Sequence, residues 1–90
     1  MKSYQGLLNI GYNNTVSKNK VVAVVSADTA PIKRLKDQAR KENRLIDATN
    51  GKKTNSVIIT DSNHVVLSAL SPETLSLRAM KNLESKKRRR

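Results

Sequence analysis

The stretch Asp47 to Leu70, DATNGKKTNSVIITDSNHVVLSAL, decides how this chain folds. Two runs rich in β-branched residues, Ser56 to Thr60 and His64 to Leu70, are separated by Asp61-Ser62-Asn63. Runs of this kind, bounded by turn-forming residues, predict two strands and a tight turn. Upstream, Asn50-Gly51 stands between Leu45–Thr49 and Ser56–Thr60. Asn and Gly both tolerate positive φ, so the pair predicts a hairpin joining those two runs. Lys52 and Lys53 follow at once and would sit at the hairpin tip or just past it, in solvent. Two cations on a rigid turn suit a partner that carries phosphate.

N-terminal to this stretch, Leu7 to Ile10 is a short apolar run read as a strand, and Gly11-Tyr12-Asn13-Asn14 supplies turn chemistry. Lys20 to Ser26, KVVAVVS, is the densest β-branched segment. Its valines leave no polar face, which predicts a strand covered on both sides. A helix then opens, with Asp28 or Thr29 as its cap and Pro31 in its first turn, and runs to about Asn43. Ile32, Leu35 and Ala39 form its apolar stripe, and Lys33, Lys36, Arg40 and Arg44 a basic stripe beside it. Asn43 is placed to end it in the left-handed conformation. C-terminal to the last strand, Ser71-Pro72-Glu73-Thr74 has the form of a second helix start. Leu75, Ala79 and Leu83 share one face of that helix, with Met80 close by, and it is expected to end near Glu84. The predicted fold is α+β: a small antiparallel sheet of about five short strands with two amphipathic helices. Residues 1–84 form the single domain, and 85–90 a disordered basic tail.

Composition narrows the function. The chain has 90 residues, no Cys, Trp or Phe, and two Tyr. Its core must therefore be aliphatic and thin, which favours self-association. Without Cys there is no disulfide framework and no thiolate metal site. The N-terminal apolar patch is too short for a signal peptide, and no run approaches the ~20 apolar residues of a membrane span. A soluble, cytoplasmic protein is expected. There are 18 basic residues against 7 acidic, a net charge of +11. Removing Lys86 to Arg90 leaves 13 basic against 7 acidic, a net +6 on the body. That excess favours nucleic acid first and anionic membrane second. With so few aromatics, base stacking is a poor binding mode, and duplex DNA held by its backbone is favoured.

Catalysis finds little support. His64 is the sole histidine and lies beside a turn. Asp47 and Asp61 flank the expected hairpin, where a pair of carboxylates could serve acid–base chemistry or hold a metal. An Asp at a strand end more often bonds turn amides. No phosphate loop or GxGxxG is present. The expectation is a binding protein with no catalytic residues, metal, cofactor or small-molecule substrate.

Four stretches taken together carry a resemblance: LNIGYNNTVSKNKVVAVVS from Leu8, APIKR from Ala30, LIDATNGKKT from Leu45 and ITDSNHVVLSALSPET from Ile59. In this order and spacing the chain resembles the RemA family of small bacterial DNA-binding regulators, from about Leu7 to Leu77. The resemblance implies a transcription regulator, nucleoid-associated, that binds double-stranded DNA as a homo-oligomer, ring-shaped, and activates genes such as those for biofilm matrix. It implies DNA contacts at Lys20 and at Lys52 and Lys53. Lys18 and Arg34 complete the expected set, Lys18 as the partner cation of Lys20 and Arg34 as the end of the APIKR stretch. The family usually has Arg at positions 20, 52 and 53. Lys keeps the charge but lacks the bidentate fork. Asn55 stands where a further basic residue is common, and Asn13 and Asn43 replace glycines. The alternative function is an RNA-binding or ribosome-associated basic protein.

Overall fold

A computed structural model describes the backbone of residues 6–88 and the side chains of residues 6–80. In chain order the elements are β1 (Leu7–Gly11), β2 (Asn14–Ser17), a short 3-10 turn (Lys18–Lys20), β3 (Val21–Ser26), α1 (Ala30–Lys41), β4 (Leu45–Asp47), β5 (Ser56–Thr60), β6 (Val65–Ser68) and α2 (Pro72–Arg88). The class is α+β, as expected. Six strands form two sheets, a β1–β2 hairpin and a four-stranded sheet in the order β3-β5-β6-β4.

The central strands explain the layering. Val57 and Ile59 of β5, with Val65 and Leu67 of β6, face α1, where they meet Ala39, Ile32 and Leu35. Ile58 and Val66, the alternate residues, face Leu8 and Ile10 of β1 and Leu75 of α2. Both strands are apolar on both faces, so both faces must be covered. α1 covers one, and the β1–β2 hairpin with α2 covers the other. Ser68 ties the layers with a buried hydrogen bond, its hydroxyl donating to the Ile10 carbonyl at 2.9 Å.

The helix signals act as the sequence implies. Thr29 is the α1 cap residue, its carbonyl accepting from the Lys33 N–H at 3.0 Å, although its side chain makes no cap bond. Asn43 ends the helix at φ 60°. At α2 the Ser71 hydroxyl accepts from the Thr74 N–H at 3.1 Å. The α2 backbone continues to Arg88, past the end expected near Glu84. Arg89 and Arg90, the end of the expected tail, lie outside the described residues, as does the Leu83 side chain.

Three local expectations need correction. The first is the hairpin between β4 and β5. β4 pairs with β6 instead, in parallel, with Leu45 opposite Val65 and Asp47 opposite Leu67. β6 lies between β4 and β5, and residues 48–55 cross over its end. The apolar β6 needs a central place, whereas Ile46 and Asp47 tolerate the edge, both being exposed. The two-residue hairpin turn lies elsewhere, at Tyr12 and Asn13 (φ 53° and 65°), between the paired residues Gly11 and Asn14. The second is β2, NTVS, which is too short and polar to stand out as a strand. The third is β3, which is not covered on both sides. It is an edge strand, its register shifts between Val21 and Ala23, and Val22 at that irregularity is 66% exposed.

Candidate functional site

The Asn50-Gly51 turn survives as a turn without being a hairpin. Asn50 and Gly51 sit at φ 55° and 79°, and the Lys52 N–H donates to the Thr49 carbonyl at 3.0 Å. Residue 49 is the foot of this turn and is 2% exposed. Asp47 clamps it from below. Its carboxylate accepts from the Thr49 hydroxyl at 2.6 Å and from the Thr49 N–H at 2.9 Å. The hydroxyl bond first, and the backbone bond second, hold the Asp47 carboxyl below its ordinary pKa. Both bonds favour the ionised form. A depressed folded pKa means the clamp is complete above the ordinary carboxylate range and is lost only as acid takes pH below it. Asp47 is thus a loop anchor, as expected of an Asp at a strand end that bonds turn amides, and it holds the Thr49 hydroxyl in addition.

The clamp has a structural consequence. Lys52 and Lys53 extend from the turn that Thr49 anchors, and both are exposed. Thr49→Val keeps the shape and the net charge but removes the hydroxyl. It should lower thermal stability by about 1 kcal/mol and loosen the lysines, measurable as faster amide exchange at residues 50–53.

Lys20 lies at the opposite end of the sheet. Its carbonyl accepts from the Asp61 N–H at 2.8 Å, beside the β5–β6 turn. The Ala27 N–H bonds the Asn55 carbonyl at the other end, next to the 49–53 turn and the α1 start. β5 spans five residues, so at ~3.3 Å per residue the two ends of the strand that these points adjoin are about 16 Å apart. Asp47 and Asp61 are divided in the same way, so the two carboxylates do not pair across a hairpin.

The remaining cations are placed differently. The Lys18 ammonium donates to the Ala79 carbonyl at 3.0 Å, which fastens the 3-10 turn to α2. Arg34 is exposed on α1 in a shallow groove shared with Asp37, Lys41 and Glu42, where acids offset its charge. Half of the α1 basic stripe serves structure. Arg40 pairs with Asp37 at 3.3 Å and Arg44 with Glu42 at 2.8 Å, and Arg44 also bonds the Asn63 carbonyl. Among the described residues these are the only ion pairs, so Lys20, Lys52 and Lys53 are unpaired. The described residues hold no His/Asp/Glu group able to bind a metal ion, and no described helix is long and apolar enough to cross a membrane.

The chain is a small basic α+β body with lysines on two turns that are unpaired among the described residues. The model of the RemA-like family (extracellular matrix regulatory protein A-like) matches residues 7–79, and the chain belongs to that family. It is 54% identical over 77 residues to a protein of Thermotoga maritima, covering 86% of this chain and 84% of that one. It is 55% identical over 73 residues to a protein of Pseudothermotoga lettingae, covering 81% and 80%. A Fervidobacterium nodosum protein is 50% identical over 78 residues, covering 87% and 84%. All three are provisionally named regulatory proteins, and family and relatives together indicate a regulatory role.

Proposed function

We propose that this protein regulates transcription by binding duplex DNA through its phosphate backbone, as a homo-oligomer. Biofilm-matrix genes are the kind of target the family resemblance implies. The observation that carries the reading is the clamped turn, which presents Lys52 and Lys53 exposed and unpaired. Lys20 adds a second cationic point near the opposite end of β5. Backbone contacts by lysine position a protein on DNA without reading sequence.

Assembly is supported by apolar surface that one copy leaves in water. Val22 of β3 is 66% exposed, and Leu77 and Met80 of α2 are 62% and 64% exposed. An apolar groove of about 570 Å³ opens between the same two elements, lined by Val21, Val24, Leu75 and Ala79. Surface of this kind marks an interaction face. A closed ring of copies would repeat the two cationic points along one duplex, and avidity would offset weak single contacts. Single-strand recognition is less favoured, because Tyr12 is the only aromatic residue among the described ones.

The test is binding of labelled duplex DNA and of structured RNA across a salt series, for the intact chain and for one ending at Ser85. The expected result is a preference for duplex DNA that survives removal of the tail. If each protomer neutralises about three phosphates, log K should fall by about 2.7 per decade of salt for each engaged protomer. Loss of all binding with the tail would make the tail a non-specific anchor and overturn the assignment.

A further inference from the structure

The β5–β6 turn, next to Lys20, holds a closed cycle of polar groups that no lysine contact requires. The His64 N–H donates to the Thr60 hydroxyl at 3.1 Å. The Thr60 and Ser62 hydroxyls lie 3.0 Å apart, and the Ser62 hydroxyl lies 2.8 Å from His64 Nδ1. Asn63 at φ 69° turns the chain so that this cycle can close. The ring orientation is therefore fixed, and Nε2 has no partner among the described residues.

Proton bookkeeping gives the cycle a direction. In the neutral ring Thr60 donates to Ser62, Ser62 donates to Nδ1, and the ring proton resides on Nε2. In the charged ring Nδ1–H donates to Ser62, Ser62 donates to Thr60, and Thr60 donates to the His64 carbonyl, 3.4 Å away. Every hydroxyl is satisfied in both states. Nε2–H is a donor without a partner among the described residues in both, and only the charge changes.

We infer that His64, oriented by Ser62, is a phosphate-contacting residue at the Lys20 end of the sheet, and that it adds an acid-dependent contact to the lysines. The inference rests on the DNA-binding reading. The cationic surroundings suit an anion at this corner. Lys20 adjoins the turn through the Asp61 N–H, and Arg44 reaches it through the Asn63 carbonyl at 2.6 Å. Glu42 is paired with Arg44. Asp61, in the turn itself, is the remaining acid here, against the cations Lys20 and Arg44. The second ring nitrogen is what makes His suitable, since one nitrogen can be anchored while the other meets the ligand.

The experiment is duplex DNA binding by the full chain across a salt series at about pH 5.5 and about pH 7.2, the range in which imidazoles as a class change charge. The variants are His64→Gln, which retains a neutral donor, and Ser62→Ala, which frees the ring. The intact chain should bind more tightly in acid, with a salt slope steeper by about 0.9 for each engaged protomer. His64→Gln should lose this difference, and Ser62→Ala should weaken it. Equal slopes at both pH values, or the same acid effect in His64→Gln, would overturn the assignment while leaving the lysine site intact. Absence of duplex binding at either pH would instead overturn the DNA-binding reading, and the His64 contact with it.

Discussion

Lys52→Ala combined with Lys53→Ala is expected to remove most duplex DNA affinity while leaving the fold untouched. Each phosphate contact contributes about 0.9 to the salt slope, so the pair should flatten it by about 1.8 for each engaged protomer. At ~0.15 M salt that corresponds to about a 30-fold loss for each engaged protomer. The loss should be the same on unrelated sequences, because backbone contacts carry no base information. Stability should change by less than about 0.5 kcal/mol, since both side chains are exposed and make no hydrogen bond or ion pair. Titration of labelled duplexes of two unrelated sequences, with a thermal melt of the same sample, measures both halves. An unchanged affinity and slope would move the DNA site away from this turn.

The effect depends on a loop whose purpose was only half legible in the sequence. Asn50-Gly51 is a turn, as its residue types dictate, and both residues hold positive φ. That it does not join paired strands could not be read locally. Parallel pairing of β4 with β6 is a contact between segments twenty residues apart, and local patterning carries no register for it. One signal was present. Lys52 to Asn55 are polar without alternation, which suits a crossing loop better than the arm of a hairpin.

Elsewhere the local chemistry was sufficient. Pro31 and Pro72 lie in the first turns of their helices, and Asn13 and Asn43 adopt φ 65° and 60°. These features depend on neighbours in sequence, which is why they were readable. The candidate site was less legible, because charge along a sequence does not reveal direction. Lys18 and Lys20 are two residues apart, yet one is bonded to α2 and the other is exposed. Arg40 and Arg44 look like Lys33 and Lys36 in a helical projection, but among the described residues only the arginines form ion pairs. The Ser62–His64 contact needs the turn to fold before it exists.

Ile58→Ala should be the most damaging single change to the fold. Ile58 is fully buried at the centre of β5, paired with Val24 on one side and Val66 on the other. Above it the β1–β2 hairpin and α2 contribute Leu8, Ile10 and Leu75. With no Phe or Trp in the chain, no large ring is available to shift into the space. The cost should therefore be about 3 kcal/mol, a substantial part of the roughly 5–15 kcal/mol that a domain possesses. A thermal melt should fall by about 15 °C, taking about 5 °C per kcal/mol for a chain of this size. The measurement has to be made at fixed protein concentration, because the proposed self-association would make melting concentration-dependent. The damage should also be directional. Val57 and Ile59 still hold α1 on the far face, whereas the hairpin, α2 and the Lys18–Lys20 turn fastened to Ala79 rest on the emptied side. Amide exchange should accordingly rise first in β1, β2 and residues 18–20, and only later in α1. Uniform acceleration would mean that the two faces unfold as one unit, and that the Lys20 end of the proposed binding surface is no less secure than the Lys52 end.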